Sequence, residues 1–213
     1  MTDILYTPVI AVKSSSQKNV DALIALARRG PLRARDLTDA GIPRVYLQRL
    51  VDTEKLERVA RGLYRLAATE PTERATLTEV AKRMPRATIC LLSALQLHGM
   101  TDELPHAVWV MLDRKARLPQ SSHTKLHVVR ASGSALTHGI DVKRVESVPI
   151  RVTNPARTVA DCFRYRSHVG LDVALAALRE YRRKRKGSMD ALLAAATTLR
   201  VARIMRPYIE ATS

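Results

Sequence analysis

The chain is poor in the residues that small folds use as staples. It has two cysteines, Cys90 and Cys162, one tryptophan, one phenylalanine and 4% aromatic residues in 213 positions. Two dispersed cysteines among apolar neighbours form neither a disulfide framework nor a cysteine-based zinc site, so buried free thiols are expected. No run approaches the ~20 apolar residues that span a bilayer, and the longest apolar runs are interrupted by charge, so no membrane segment is expected. The opening MTDILYTPVIAVKSSSQK has no basic stretch ahead of its apolar part and no obvious cleavage site. It does not read as a signal peptide, and a cytoplasmic protein is expected. No G-x-x-x-x-G-K-[ST] or G-x-G-x-x-G is present, which removes support for nucleotide hydrolysis or a dinucleotide cofactor. No Asp-x-Asp is present either, the pair that holds two metals in nucleotidyl transfer.

Negative charge is also scarce. Lys and Arg number 36 against 20 Asp and Glu, a net charge of +16. Such an excess favours a polyanionic partner, with nucleic acid ahead of an anionic membrane surface. The length suits two small domains, each with a core of its own.

Helical periodicity begins at Lys18, after Ser14-Ser15-Ser16, and closes at Gly30-Pro31. LRARDLTDAG predicts a second helix ending at Gly41, and Pro43 opens a third over RVYLQRLVDTEKL, with Leu47, Leu50 and Val51 on one face. LERVARGLYRL then folds back as a hairpin at Arg61-Gly62. Three helices followed by a two-stranded hairpin is the order of a winged helix-turn-helix, with the third helix in the recognition position. The expected domains are an extension over residues 1–17, a winged helix-turn-helix DNA-binding domain over 18–67, a linker over 68–72 and a C-terminal domain over 73–213. That last domain reads as helices over Glu73 to Met84 and CLLSALQLHGM, strands over HAVWVML, KLHVVRA, GIDVKRVE and VPIRVT, then helices over PARTVADCFRYR, LDVALAALREYRRKRK, MDALLAAATTL and VARIMRPYIEA. The fold class is α+β, a winged helix followed by a mixed α/β domain that ends in helices.

Candidate DNA-contacting residues follow from this layout. With Leu47, Leu50 and Val51 inward, Val45, Tyr46, Gln48 and Arg49 lie on or beside the outward face, and Arg44 stands at its exposed start. Arg reads guanine O6 and N7 bidentately and Gln pairs with adenine, so Gln48 and Arg49 are the base-reading candidates. Tyr46 is either a phosphate contact or a half-buried ring packed beside the wing. Arg33, Arg58, Arg61 and Arg65 are placed on phosphates, which set register without reading sequence. For Arg65 the structural alternative is an ion pair with Glu57 across the hairpin.

Other chemistry has weaker support. A nuclease would need an acidic residue followed by an acidic-x-Lys element. Only Asp113-Arg114-Lys115 and Asp141-Val142-Lys143 supply the half-pattern. His123 and His127 have metal-pair spacing if helical, yet LHVVR reads as strand. Arg157, Thr158, Asp161 and His168 gather near one helix and read as N-capping and surface polarity. YRRKRKGS is either a second nucleic-acid contact or a set of cations complementing a helix C-terminus. No cofactor and no metal are expected.

The winged helix with ARGLYRL at its wing, followed by CLLSALQLHGM, TNPARTVADCFRYR, GLDVALAALR and VARIMRPYIEA, resembles the AbiEi family of type IV toxin-antitoxin antitoxins, associated with abortive infection. The resemblance implies autoregulation: an N-terminal winged helix that represses its own promoter by binding double-stranded DNA. It also implies a C-terminal domain that counters a cognate nucleotidyltransferase-like toxin, with or without direct contact. The alternatives are a DNA-processing protein with a divergent nuclease site around Asp113 and Lys115, and a regulator of unrelated genes.

Overall fold

Apolar residues recurring every three to four positions bury one stripe of each N-terminal helix, and the alternating residues of the hairpin close the same core. The computed structural model describes residues 15–67, 72–118 and 124–211. The chain divides into two compact units, Met1–Thr69 and Glu70–Ser213. Of the extension and linker expected from the sequence, residues 1–14 and 68–71 lie outside the described residues.

The N-terminal unit runs α1 (Ser15–Ala27), β1 (Leu32–Arg33), α2 (Ala34–Asp39), α3 (Val45–Asp52), β2 (Leu56–Ala60) and β3 (Leu63–Leu66). Leu23, Leu37, Ile42, Leu47, Leu50 and Leu56 form its buried core. The antiparallel sheet has the order β1-β3-β2, which makes this a winged helix with a third, short strand. Three boundaries differ from the sequence expectation. The first helix starts at Ser15 instead of Lys18. Leu32 and Arg33 leave the second helix and pair with Tyr64 and Leu63, so tertiary pairing overrides a local helical pattern. The third helix stops at Asp52, where Glu54 turns at φ 53° and Lys55 N–H donates to Leu50 O at 2.9 Å. Leu56 is thereby released into β2.

The C-terminal unit contains α4 (Glu73–Arg83), β4 (Thr88–Ile89), α5 (Leu91–Leu97), β5 (Val108–Asp113), β6 (Leu126–Ala131), a 3-10 turn (Gly133–Leu136), β7 (Ile140–Val145) and β8 (Val148–Thr153). It continues with α6 (Pro155–Arg164), α7 (Arg166–Val169), α8 (Leu171–Arg183), α9 (Met189–Thr198) and α10 (Ala202–Ala211). Its five strands are ordered β6-β5-β4-β8-β7. β5 with β6 and β4 with β8 are parallel, whereas β4 with β5 and β7 with β8 are antiparallel. Alternation along the strands separates two cores. Val108, Val110, Leu112, Ile150 and Val152 pack with Leu77 and Val80 of α4 and with Met84 just after it. Met111 and Val129 face the larger cluster built on Val159, Phe163, Leu178, Leu192 and Met205 of the C-terminal helices. The two-residue β4 joins the halves of the sheet and was absent from the sequence expectation, because two residues carry no period.

The main correction concerns α6. Asn154 caps its start, accepting from Arg157 N–H at 2.9 Å, and Pro155 occupies the first turn. Arg157 and Asp161, expected at the surface, are instead 1% and 2% exposed. Arg157 Nε donates to Asp161 Oδ2 at 2.7 Å, Nη1 to His138 O at 2.7 Å and Nη2 to Ala135 O at 2.8 Å. Thr158 is buried beside them and donates to Asn154 O at 2.8 Å. Of the four polar residues grouped from the sequence, only His168 is exposed. Burial pushes the Asp161 carboxyl up to about 6, against the pull of Arg157, so at neutral pH the pair is ionic. The guanidinium ties α6 to the loop ahead of β7, a load that a solvent-facing residue could not carry. Cys90 and Cys162 are buried free thiols, as expected, and burial pushes both up.

A candidate nucleic-acid interface on the N-terminal unit

The turn between α2 and α3 is set by Gly41 at φ 67° and by Ile42, which is buried and donates its N–H to Leu37 O at 2.9 Å. That anchor fixes α3 with Leu47 and Leu50 in the core and Arg44, Val45, Gln48, Arg49 and Asp52 exposed. The outward face is short, with Arg44 at its start, Arg49 in its last turn and Asp52 at its end. Gln48 Nε2 donates to Asp52 Oδ1 at 2.8 Å, a solvent-exposed bond that a competing acceptor can replace. Arg49 Nη1 reaches Ser16 Oγ of α1 at 3.2 Å. Val45 is 69% exposed, an apolar β-branched side chain at the first position of the helix. Among base edges, the thymine methyl group is its natural complement.

Tyr46 is half-buried and hydrogen-bonded to Asn19 and Ser16 of α1, contacts that hold its phenol below the usual range. The ring therefore braces α3 against α1. Arg33 sits at the end of β1, and its backbone N–H donates to Asp36 Oδ2 at 2.9 Å, closing the first turn of α2. Burial and the neighbouring Arg35 lower the Arg33 guanidinium. Arg35, 68% exposed at the side chain, projects from the first turn of α2. It was not among the candidates drawn from the sequence, although its place one turn after Gly30-Pro31 was a usable signal.

In the hairpin, Leu56, Val59 and Leu63 are buried while Arg58 and Arg61 are exposed. Gly62 takes φ 70° at the tip, where a side chain would be strained, and the register shifts between Arg58 and Ala60. Arg65 behaves differently. It stands directly opposite Glu57 and its Nε is paired with Glu57 Oε1, so the structure realises the alternative considered for this residue. The exposed wing cations are Arg58 and Arg61.

Among the described residues, the features singled out elsewhere do not assemble a second site. Asp113 ends β5 and accepts Lys115 N–H at 2.7 Å, while Asp141 lies on β7, separated from β5 in the sheet by both β4 and β8. His127 stacks on Trp109 with centroids 4.4 Å apart, and His123 lies outside the described residues. No group of three metal-ligating side chains occurs among the described residues. Of the basic run, Arg183 and Lys184 pair with Glu180 at 2.7 and 2.9 Å, and Lys184 Nζ donates to Gly99 O at 2.6 Å. No helix among the described residues is long and apolar enough to cross a membrane.

Residues 21–67 match the family described as "Transcriptional regulator, AbiEi antitoxin", a match contained within the N-terminal unit and spanning α2, α3 and the hairpin. Among solved structures, the chain is similar to the RV2827C protein from Mycobacterium tuberculosis. That similarity has 15% identity and a TM-score of 0.50, and it covers 85% of this chain and 81% of that one. It is a likeness of fold. No curated protein matches.

Proposed function

We propose that this protein is a transcriptional regulator and antitoxin of the type IV class that binds double-stranded DNA of its own promoter through α3 and the hairpin wing. One observation carries the proposal: the segment that matches the antitoxin-regulator family presents Arg44, Val45, Gln48 and Arg49 outward on α3, with Arg58 and Arg61 exposed on the wing. Phosphate contacts from the wing would set register, and Gln48 and Arg49 would read base edges. Tyr46 and Arg65 are assigned to support, since both are engaged within the unit. The C-terminal unit is assigned the antitoxin activity against a nucleotidyltransferase-like toxin.

The two roles separate in cells. Gln48→Ala with Arg49→Ala should relieve repression of a reporter driven by the protein's own upstream region. Growth rescue, when the variant is co-expressed with the neighbouring toxin from a fixed promoter, should persist. A folded variant that still represses fully would remove α3 from the interface, and one that loses rescue would undo the assignment of antitoxicity to the other unit.

A further inference from the structure

Among the described residues β7 is an edge of the five-stranded sheet, and Val142, within it, is 63% exposed. An open strand edge is a template for another strand, so natural edges are commonly blunted by charge. This one carries Asp141, Arg144 and the half-buried Lys143 around an exposed valine, and Lys143 Nζ, which donates to His98 Nδ1 at 2.9 Å, keeps further N–H groups for a carboxylate.

The backbone polarity of the edge is fixed by three independent features. The hairpin joining β7 to β8 has a two-residue turn, Glu146 and Ser147, both at positive φ (47° and 66°). Such a turn makes the flanking pair Val145/Val148 a hydrogen-bonded pair. Pro149, which has no N–H, stands opposite Arg144, as a pair without hydrogen bonds requires. Asn154 N–H donates to Gly139 O at 2.8 Å. All three direct the N–H and C=O groups of the odd-numbered residues 139–145 toward β8. Those of Ile140, Val142 and Arg144 point outward.

We propose that β7 pairs antiparallel with β7 of a second copy of this chain, on a two-fold axis through Val142, joining two five-stranded sheets into one. A two-fold perpendicular to the sheet keeps each side chain on its own face, so the axis must pass through a residue whose backbone groups point outward. Centred on Arg144, it would oppose arginine to arginine. Centred on Ile140, it would shorten the paired segment. Centred on Val142, it sets valine against valine and places Asp141 of each copy opposite Lys143 of the other, on one face, twice. The register that satisfies the outward backbone is thus the one that pairs the charges, and like charges are not opposed. A six-residue edge is small beside the ~1,200–2,000 Å² of a standard interface, so association is expected only in the micromolar range or weaker.

Cysteine crosslinking reads the register directly. Across a hydrogen-bonded antiparallel pair the two Cα atoms lie ~5.5 Å apart, within disulfide reach, whereas residues 144 of the two copies, four residues out of register, would be ~14–15 Å apart. Under mild oxidation of the full chain, Val142→Cys should form a covalent dimer and Arg144→Cys should not. The native cysteines are buried and stay out of the reaction. In sedimentation velocity between ~1 and ~200 µM, the unmodified chain should show a concentration-dependent dimer. Asp141→Lys and Lys143→Asp should each be monomeric alone and associate when mixed, since only the mixture opposes unlike charges. A monomer at every concentration, with Val142→Cys crosslinking no faster than Arg144→Cys, would overturn the proposal.

Discussion

Replacing Arg157 with methionine should lower the unfolding free energy of the C-terminal unit by about 3–5 kcal/mol, the range expected when one partner of a buried ion pair is removed. The substitution leaves Asp161 buried without its guanidinium. It also strips the carbonyls of His138 and Ala135 of their donor. Asp161 Oδ1 already lacks a hydrogen-bond partner, so the site has no spare donor to compensate. The double variant Arg157→Met/Asp161→Leu should recover part of the loss and not all of it, because the two carbonyls remain orphaned.

The pH dependence tests the same point. A carboxyl whose folded pKa stands near 6, above its value of 3.8 in the open chain, stabilises more as pH falls, since the folded state then holds the extra proton. Without Arg157 the pKa rises further, so the deficit of the single variant should shrink between pH 8 and pH 5. His98 acts in the opposite sense in both proteins. Its Nε2 donates to Thr153 O at 2.6 Å and its Nδ1 accepts from Lys143 at 2.9 Å. Burial, with Lys143 beside it, holds the ring down to about 4, so its contribution is lost as pH falls from 6.5 through 4. Chemical denaturation of wild type and both variants across this range checks the account. A constant deficit would mean that Asp161 is not the ionised partner.

The second large effect concerns salt. If Arg58 and Arg61 neutralise phosphates, each releases condensed counterions, and log K falls with log salt at about −0.9 per contact. The double variant Arg58→Ala/Arg61→Ala should flatten the slope by nearly two units and leave base preference intact. Arg65→Ala should leave the slope almost unchanged. It should cost at most about 1 kcal/mol of stability, the range for a part-exposed ion pair. Titration of DNA at several salt concentrations separates the three arginines, and a slope lowered equally by Arg65→Ala would place all three on the backbone.

The α3 face was legible because Leu47, Leu50 and Val51 repeat at helical spacing and leave Gln48 and Arg49 outside. Individual partners were not, since Tyr46 to Asn19 and Arg49 to Ser16 depend on how α1 lies across α3. The roles of β1 and β4 were hidden for one reason: a two-residue strand has no period, and its identity comes from the strand it pairs with. Arg157 was misread through the ordinary expectation that charge in a helix faces solvent. The signal against that expectation was local. Arg157 and Asp161 stand four residues apart among Ala156, Val159, Ala160, Cys162 and Phe163, a spacing at which the two charges satisfy each other inside an apolar face. The outward polarity of β7 needs the turn geometry at Glu146 and Ser147, which composition does not supply.

The central claim is that α3 reads sequence, and fluorescence anisotropy of the full chain on two duplexes tests it most directly. The duplexes are the DNA upstream of its own reading frame and a scrambled sequence of the same length and composition, compared at ~150 mM salt. The upstream duplex should bind about 10³-fold or more tightly. Arg49→Ala should reduce that preference by about 1–3 kcal/mol while leaving affinity for the scrambled duplex nearly unchanged. Equal affinity for the two duplexes, or a preference that survives Arg49→Ala and Gln48→Ala together, would contradict the account.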